Sequence, residues 1–166
     1  MNSLYQYLHS FSVKGSVFIV ALLQLAFYAE TMVGQDNFIG KSEEFVINYF
    51  RTDTIYTLKT DTIDRKTILL TFRPKSQYPF YTYEIDLRTD QCISYGMVSK
   101  NTDVLNTYIS VLNFLGEKIE TDPANITYRV QANSGVFCYY YIKQPYLNSK
   151  VESKKRIFYI LVSPEN

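Results

Sequence analysis

FYTYEIDLRTDQCISYGMV, residues 80–98, decides the fold class. From Phe80 to Leu87, the side chains of Tyr81, Tyr83, Ile85 and Leu87 alternate with Thr82, Glu84 and Asp86. Successive side chains on a strand point to opposite faces, so this run reads as a strand with one buried and one solvated side. Arg88-Thr89-Asp90 is turn material, and residues 91–98 return with Ile93, Tyr95 and Met97 expected inward. Two half-buried strands joined by so short a polar turn form an antiparallel hairpin.

The same reading extends in both directions. Residues 54–60 place Tyr56 and Leu58 on one face, and residues 66–73 place Ile68, Leu70 and Phe72 together. Before them, Phe45, Val46, Tyr49 and Phe50 make one apolar stripe of a helix over 41–51. Gly40 or Ser42 can cap it, and Glu43 and Glu44 suit its first-turn dipole. A second helix is expected over 102–115, capped by Asn101 or Thr102, with Val104, Leu105, Tyr108, Val111, Leu112 and Leu115 on its apolar face. Gly116 is placed to close it in the left-handed conformation, and Pro123 then breaks the chain. Strands follow at 125–131, 136–143 and 156–162, the first two joined by a turn at Asn133-Ser134-Gly135. No internal repeat is visible. The expected fold is α+β: a two-layer structure with an antiparallel sheet of about seven strands and two helices on one face, in the order α-β-β-β-β-α-β-β-β.

The N-terminal region carries an address. Residues 16–29, SVFIVALLQLAFYA, form an apolar block behind Lys14, followed by small and polar residues. This order reads as a secretory signal peptide over 1–35, leaving a single domain over 36–166. The block is shorter than the roughly 18 residues a spanning helix needs. Extending it to Val33 would place Glu30 in lipid, at high cost. The expected location is therefore secreted or periplasmic, with no stable membrane span once the segment is cleaved. An uncleaved N-terminal anchor is the alternative.

Composition narrows the chemistry. The 166 residues include 17 basic and 16 acidic side chains, for a net charge of +1. This balance gives no general attraction to nucleic acid. The 16 Tyr and 11 Phe suit a β-rich fold. The single histidine, His9, lies in the signal segment, so a mature chain would lack any histidine-based nucleophile system or imidazole zinc site. No metal or cofactor is expected. Cys92 and Cys138 can close a disulfide in an oxidising compartment, and two separate buried thiols on neighbouring strands are the other reading.

Residues 39–46, IGKSEEFV, resemble the G-x-[ST]-x-x-x-V helix opening of small bacterial envelope domains. These include the β-lactamase-inhibitor-protein-like fold and the outer-membrane assembly lipoproteins of the SmpA/OmlA type. The run from Tyr83 to Cys92 and the Val111-Leu112-Asn113 helix segment are also similar to those of uncharacterised secreted bacterial domains. The resemblance implies a short helix followed by antiparallel strands. The lipobox Cys of the lipoproteins is absent, and the helix opening occurs once where the inhibitors have two. No inhibitor contact residue is carried across.

Several groups could carry function. Glu84 and Asp86 share a strand face, as a glycosidase pair would require, although alternating charge on an open sheet face is ordinary. Lys150, Lys154, Lys155 and Arg156, with Lys143 nearby, form a small basic patch that reads as a solvated loop, and Asn125-Ile126-Thr127 matches a glycosylation acceptor. The consecutive Tyr139, Tyr140 and Tyr141 must point to both sides of their strand. Exposed aromatics on a sheet can stack on sugars or anchor a protein partner. The expected function is a non-enzymatic binding domain whose aromatic-bearing sheet face takes a protein, peptide or glycan of the cell envelope. Phe80, Thr82, Tyr139 and Tyr141 are its candidate contact residues. A carboxylate-dependent hydrolase of envelope glycans and a self-associating structural subunit are the alternatives.

Overall fold

The computed structural model describes residues 38–51, 53–122, 124–132, 135–144 and 156–165. They lie within the compact unit Asp36–Asn166. The expected signal segment over 1–35 and the lysines at 150, 154 and 155 fall outside the described residues.

Helix α1 (Glu43–Arg51) begins where Ser42 caps it: the Phe45 amide donates to Ser42 Oγ at 3.2 Å. Four strands follow: β1 (Tyr56–Thr62), β2 (Thr67–Pro74), β3 (Phe80–Asp86) and β4 (Gln91–Ser99). Helix α2 (Thr102–Leu115) is capped by Asn101, whose Oδ1 accepts from the Asp103 amide at 2.9 Å. Four more strands complete the order: β5 (Glu117–Asp122), β6 (Asn125–Gln131), β7 (Phe137–Lys143) and β8 (Phe158–Pro164). All pair antiparallel in one sheet ordered β1-β2-β3-β4-β8-β7-β6-β5. The architecture is α+β, with eight strands rather than the seven expected.

One face of this sheet carries the core. Tyr83, Tyr95, Val162, Tyr140 and Tyr128 are register neighbours across five strands, and all are buried. Phe50 of α1 stacks on Phe72 at 4.1 Å and meets Tyr83 edge-on. Asn113 of α2 accepts a 2.6 Å hydrogen bond from the Tyr128 hydroxyl. Phe38 fills the gap ahead of α1, with its ring 4.9 Å from those of both Tyr49 and Tyr83.

Three expectations are corrected. The extra strand β5 starts directly after α2, where no strand was expected; among its residues only Ile119 is apolar, and that side chain is 52% exposed. Second, Ile93 and Leu87 do not point inward. A β-bulge shifts the β3–β4 register, so that Glu84 faces Ser94 but Ile85 faces Cys92. Ile93 is the extra residue and is 38% exposed, while Cys92 is buried in its stead. Leu87 lies beyond the strand end and is also exposed. Third, Gly116 is extended (φ −121°, ψ 161°), not left-handed. Its glycine is required by close approach, because a Cβ there would lie 2.8 Å from Val130 Cγ2.

Cys92 and Cys138 are both buried thiols. They stand on β4 and β7, which have β8 between them. Two strand spacings, about 9–10 Å, exceed the Cα separation that a disulfide spans. The separate-thiol reading is the one this geometry fits.

Candidate functional site: the open sheet face

The face opposite the helices is built by the other half of each alternation. Its central row runs Thr71, Thr82, Gly96, Leu161, Tyr141, Thr127 and Glu120, each opposite the next across the sheet. The next row on one side contains Phe80, Val98, Tyr159 and Lys143. On the other side, Ser163, Tyr139, Arg129 and Glu117 are neighbours. Phe80, Thr82, Tyr139 and Tyr141 therefore share this face, and each is half-buried.

They do not form one pocket. Thr82 on β3 and Tyr141 on β7 are three strand spacings apart, or about 14 Å. Between them the floor is small and low. Ser94 and Gly96 are buried, and a Cβ on Gly96 would come within 3.1 Å of both Thr82 Oγ1 and the Ile160 carbonyl. Tyr159 and Leu161 rise beside this floor, 40% and 41% exposed. The sequence reading placed their strand but not their role; the alternation Phe158, Ile160, Val162 inward against Tyr159, Leu161 outward was the available signal.

The two ends differ electrostatically. At the β3 end the Arg73 guanidinium lies over the Phe80 ring at 4.6 Å, and the Lys100 ammonium lies over Tyr78 at 4.4 Å. At the β7 end Arg129 forms a 2.7 Å ion pair with Glu165 and covers the Phe137 ring at 3.7 Å. The Tyr139 hydroxyl donates to Glu165 Oε1 at 2.6 Å. This bond holds the Tyr139 phenol above its ordinary range, while Arg129 and then Tyr139 hold the Glu165 carboxyl below its own. Tyr139 is thus a fixed support, with its ring 6.1 Å from that of Tyr141.

Tyr141 borders a hollow of about 290 Å³ with Glu120, Asn125, Thr127 and Lys143. Glu120 belongs to the strand that sequence reasoning missed. A bulge between Lys118 and Glu120 puts Lys118 opposite core-facing Tyr128 but Glu120 opposite Thr127. In a regular, unbulged strand Glu120 would share the helix side with Lys118. Thr127, nearly buried, donates to Glu120 Oε2 at 3.1 Å.

Glu84 and Asp86, further carboxylates of this face, are engaged. Glu84 accepts a 2.7 Å hydrogen bond from Ser94 Oγ. Asp86 is gripped by the Arg88 guanidinium and amide, which hold its carboxyl down at about 2 and leave it ionised at neutral pH. Among the described residues no group of three or more His, Cys, Asp or Glu could hold a metal ion. No helix among the described residues is long and apolar enough to cross a membrane. No family model, curated protein or solved structure matches this chain.

Proposed function

We propose that this protein is a non-enzymatic, extracytoplasmic binding domain whose open sheet face takes a protein, peptide or glycan of the cell envelope. The observation that carries the reading is the shared face of Phe80, Thr82, Tyr139 and Tyr141, with Tyr159 and Leu161 exposed between them. A half-wet sheet face of an ordinary domain is dominated by short polar and charged side chains. Here five aromatic or large aliphatic side chains stand on a floor of Thr, Ser and Gly. Aromatic rings with polar tips gain contact area while ordering few rotatable bonds, which suits them to recognition. The spread of about three strands favours an extended ligand over a compact one.

The test replaces Phe80, Tyr139 and Tyr141 together with Ala. Ligand retained from the host envelope, read by native mass spectrometry of the purified protein, should be lost while circular dichroism stays unchanged. Retention at the wild-type level would contradict this site.

A further inference from the structure

We infer that the hollow beside Tyr141 is a subsite for one residue of a neutral saccharide, an assignment that rests on the open-face reading above. The lining carries one carboxylate, Glu120, and one ammonium, Lys143, so its formal charge cancels. A site selecting an anion or a cation would leave one of these groups opposed to its ligand. What the hollow offers instead is an aromatic ring bordered by both hydrogen-bond donors and acceptors.

The unused capacity is specific. Glu120 Oε2 is taken by Thr127, whereas Oε1 has no partner among the described residues. Lys143 makes no ion pair among the described residues. Asn125 donates Nδ2 to Asp122 Oδ2 at 3.0 Å, which orients the amide and leaves its carbonyl oxygen as an acceptor. A pyranose presents one apolar C–H face and a rim of hydroxyls, each both donor and acceptor. Its apolar face matches the Tyr141 ring, and its rim matches Glu120, Asn125 and Lys143. The volume, about 290 Å³, lies at the small end of ligand pockets, which suits one sugar ring with the chain continuing over Leu161 toward Thr82. The bulge that turns Glu120 out of the core is the structural device that completes the lining.

The experiment is a ¹H–¹⁵N shift titration of the purified protein with cellohexaose, maltohexaose, laminarihexaose and chitotetraose. At least one should shift amides within 117–127 and 139–143. Tyr141→Ala and Glu120→Gln should each weaken that binding about tenfold or more, with Tyr141→Phe close to wild type. The unliganded spectrum of each variant reports its fold, and Tyr141→Phe separates lost stacking from lost structure. Saccharide binding centred on Phe80 and Thr82, unmoved by Tyr141→Ala, would overturn the subsite while keeping the open-face reading. If no saccharide shifts any amide, the sugar assignment is overturned. In that case binding of an envelope peptide or protein to the same face would preserve the broader reading, and its absence would remove both.

Discussion

Cys92 shows how one buried side chain reports on the geometry around it. Burial lifts its thiol to about 12, so the reactive thiolate is scarce at neutral pH. Thiol titration of the native protein should find Cys92 and Cys138 unreactive, and both of the chain's 2 cysteines should react after unfolding without reductant. No reaction after unfolding would mean that they are bridged. Asp86 makes a second prediction at this scale. Its carboxyl falls from the ordinary 3.8 to about 2 in the folded chain. A depressed folded value means that the Arg88 contact contributes fully above about pH 4, and that its contribution is lost as pH falls through about 2. Melting curves of wild type and Arg88→Ala should differ modestly near neutrality, because the Arg88 side chain is 64% exposed, and should converge below about pH 2. A constant difference across that range would contradict the linkage. Residue directions were legible in the sequence wherever alternation ran unbroken, as from Phe80 to Asp86. They were lost at Ile93, since a bulge leaves no mark in the pattern of apolar residues: Ile93 looks like the next inward position and is the extra one.

Elements were read by the same two periods, and their success tracks how much each buries. Helix α2 and strand β6 match their expected ranges because Leu105, Tyr108, Val111 and Leu112, and then Ile126, Tyr128 and Val130, face the core at the proper spacing. Strand β5 was missed because an edge strand with a bulge needs little apolar patterning, and EKIETD has almost none. Gly116 links the two cases. The chain passes from α2 into β5 against Val130 and the Arg129 carbonyl, with no room for a side chain. Gly116→Ala should therefore destabilise by about 1–3 kcal/mol through overpacking, as measured by urea unfolding. A neutral or stabilising result would show that the α2–β5 junction is looser than described. Glu120, the candidate residue on β5, was illegible for the same reason as the strand itself.

At the scale of the whole molecule, the helix-then-four-strands order occurs twice, and β4 meets β8 at the centre of the sheet. No sequence repeat accompanies it, so only the strand missed at β5 conceals the doubled order in the sequence. Both helices serve one face, and the other is left to Phe80, Thr82, Tyr139, Tyr141, Tyr159 and Leu161. That the four residues singled out from sequence share a face was legible because each alternates with core-facing neighbours along its strand. Their separation depends on the strand order, which alternation does not encode. The account's central claim is that this face is occupied in the envelope. Hydroxyl-radical footprinting tests it most directly, by comparing side-chain oxidation in the host envelope fraction with that in the purified protein. Tyr141, Tyr159, Leu161 and Phe80 should be oxidised less in the envelope, while Tyr49 and Phe114, exposed on the helices, should be unchanged. Protection of Tyr49 or Phe114 with the sheet face equally oxidised in both would contradict the account.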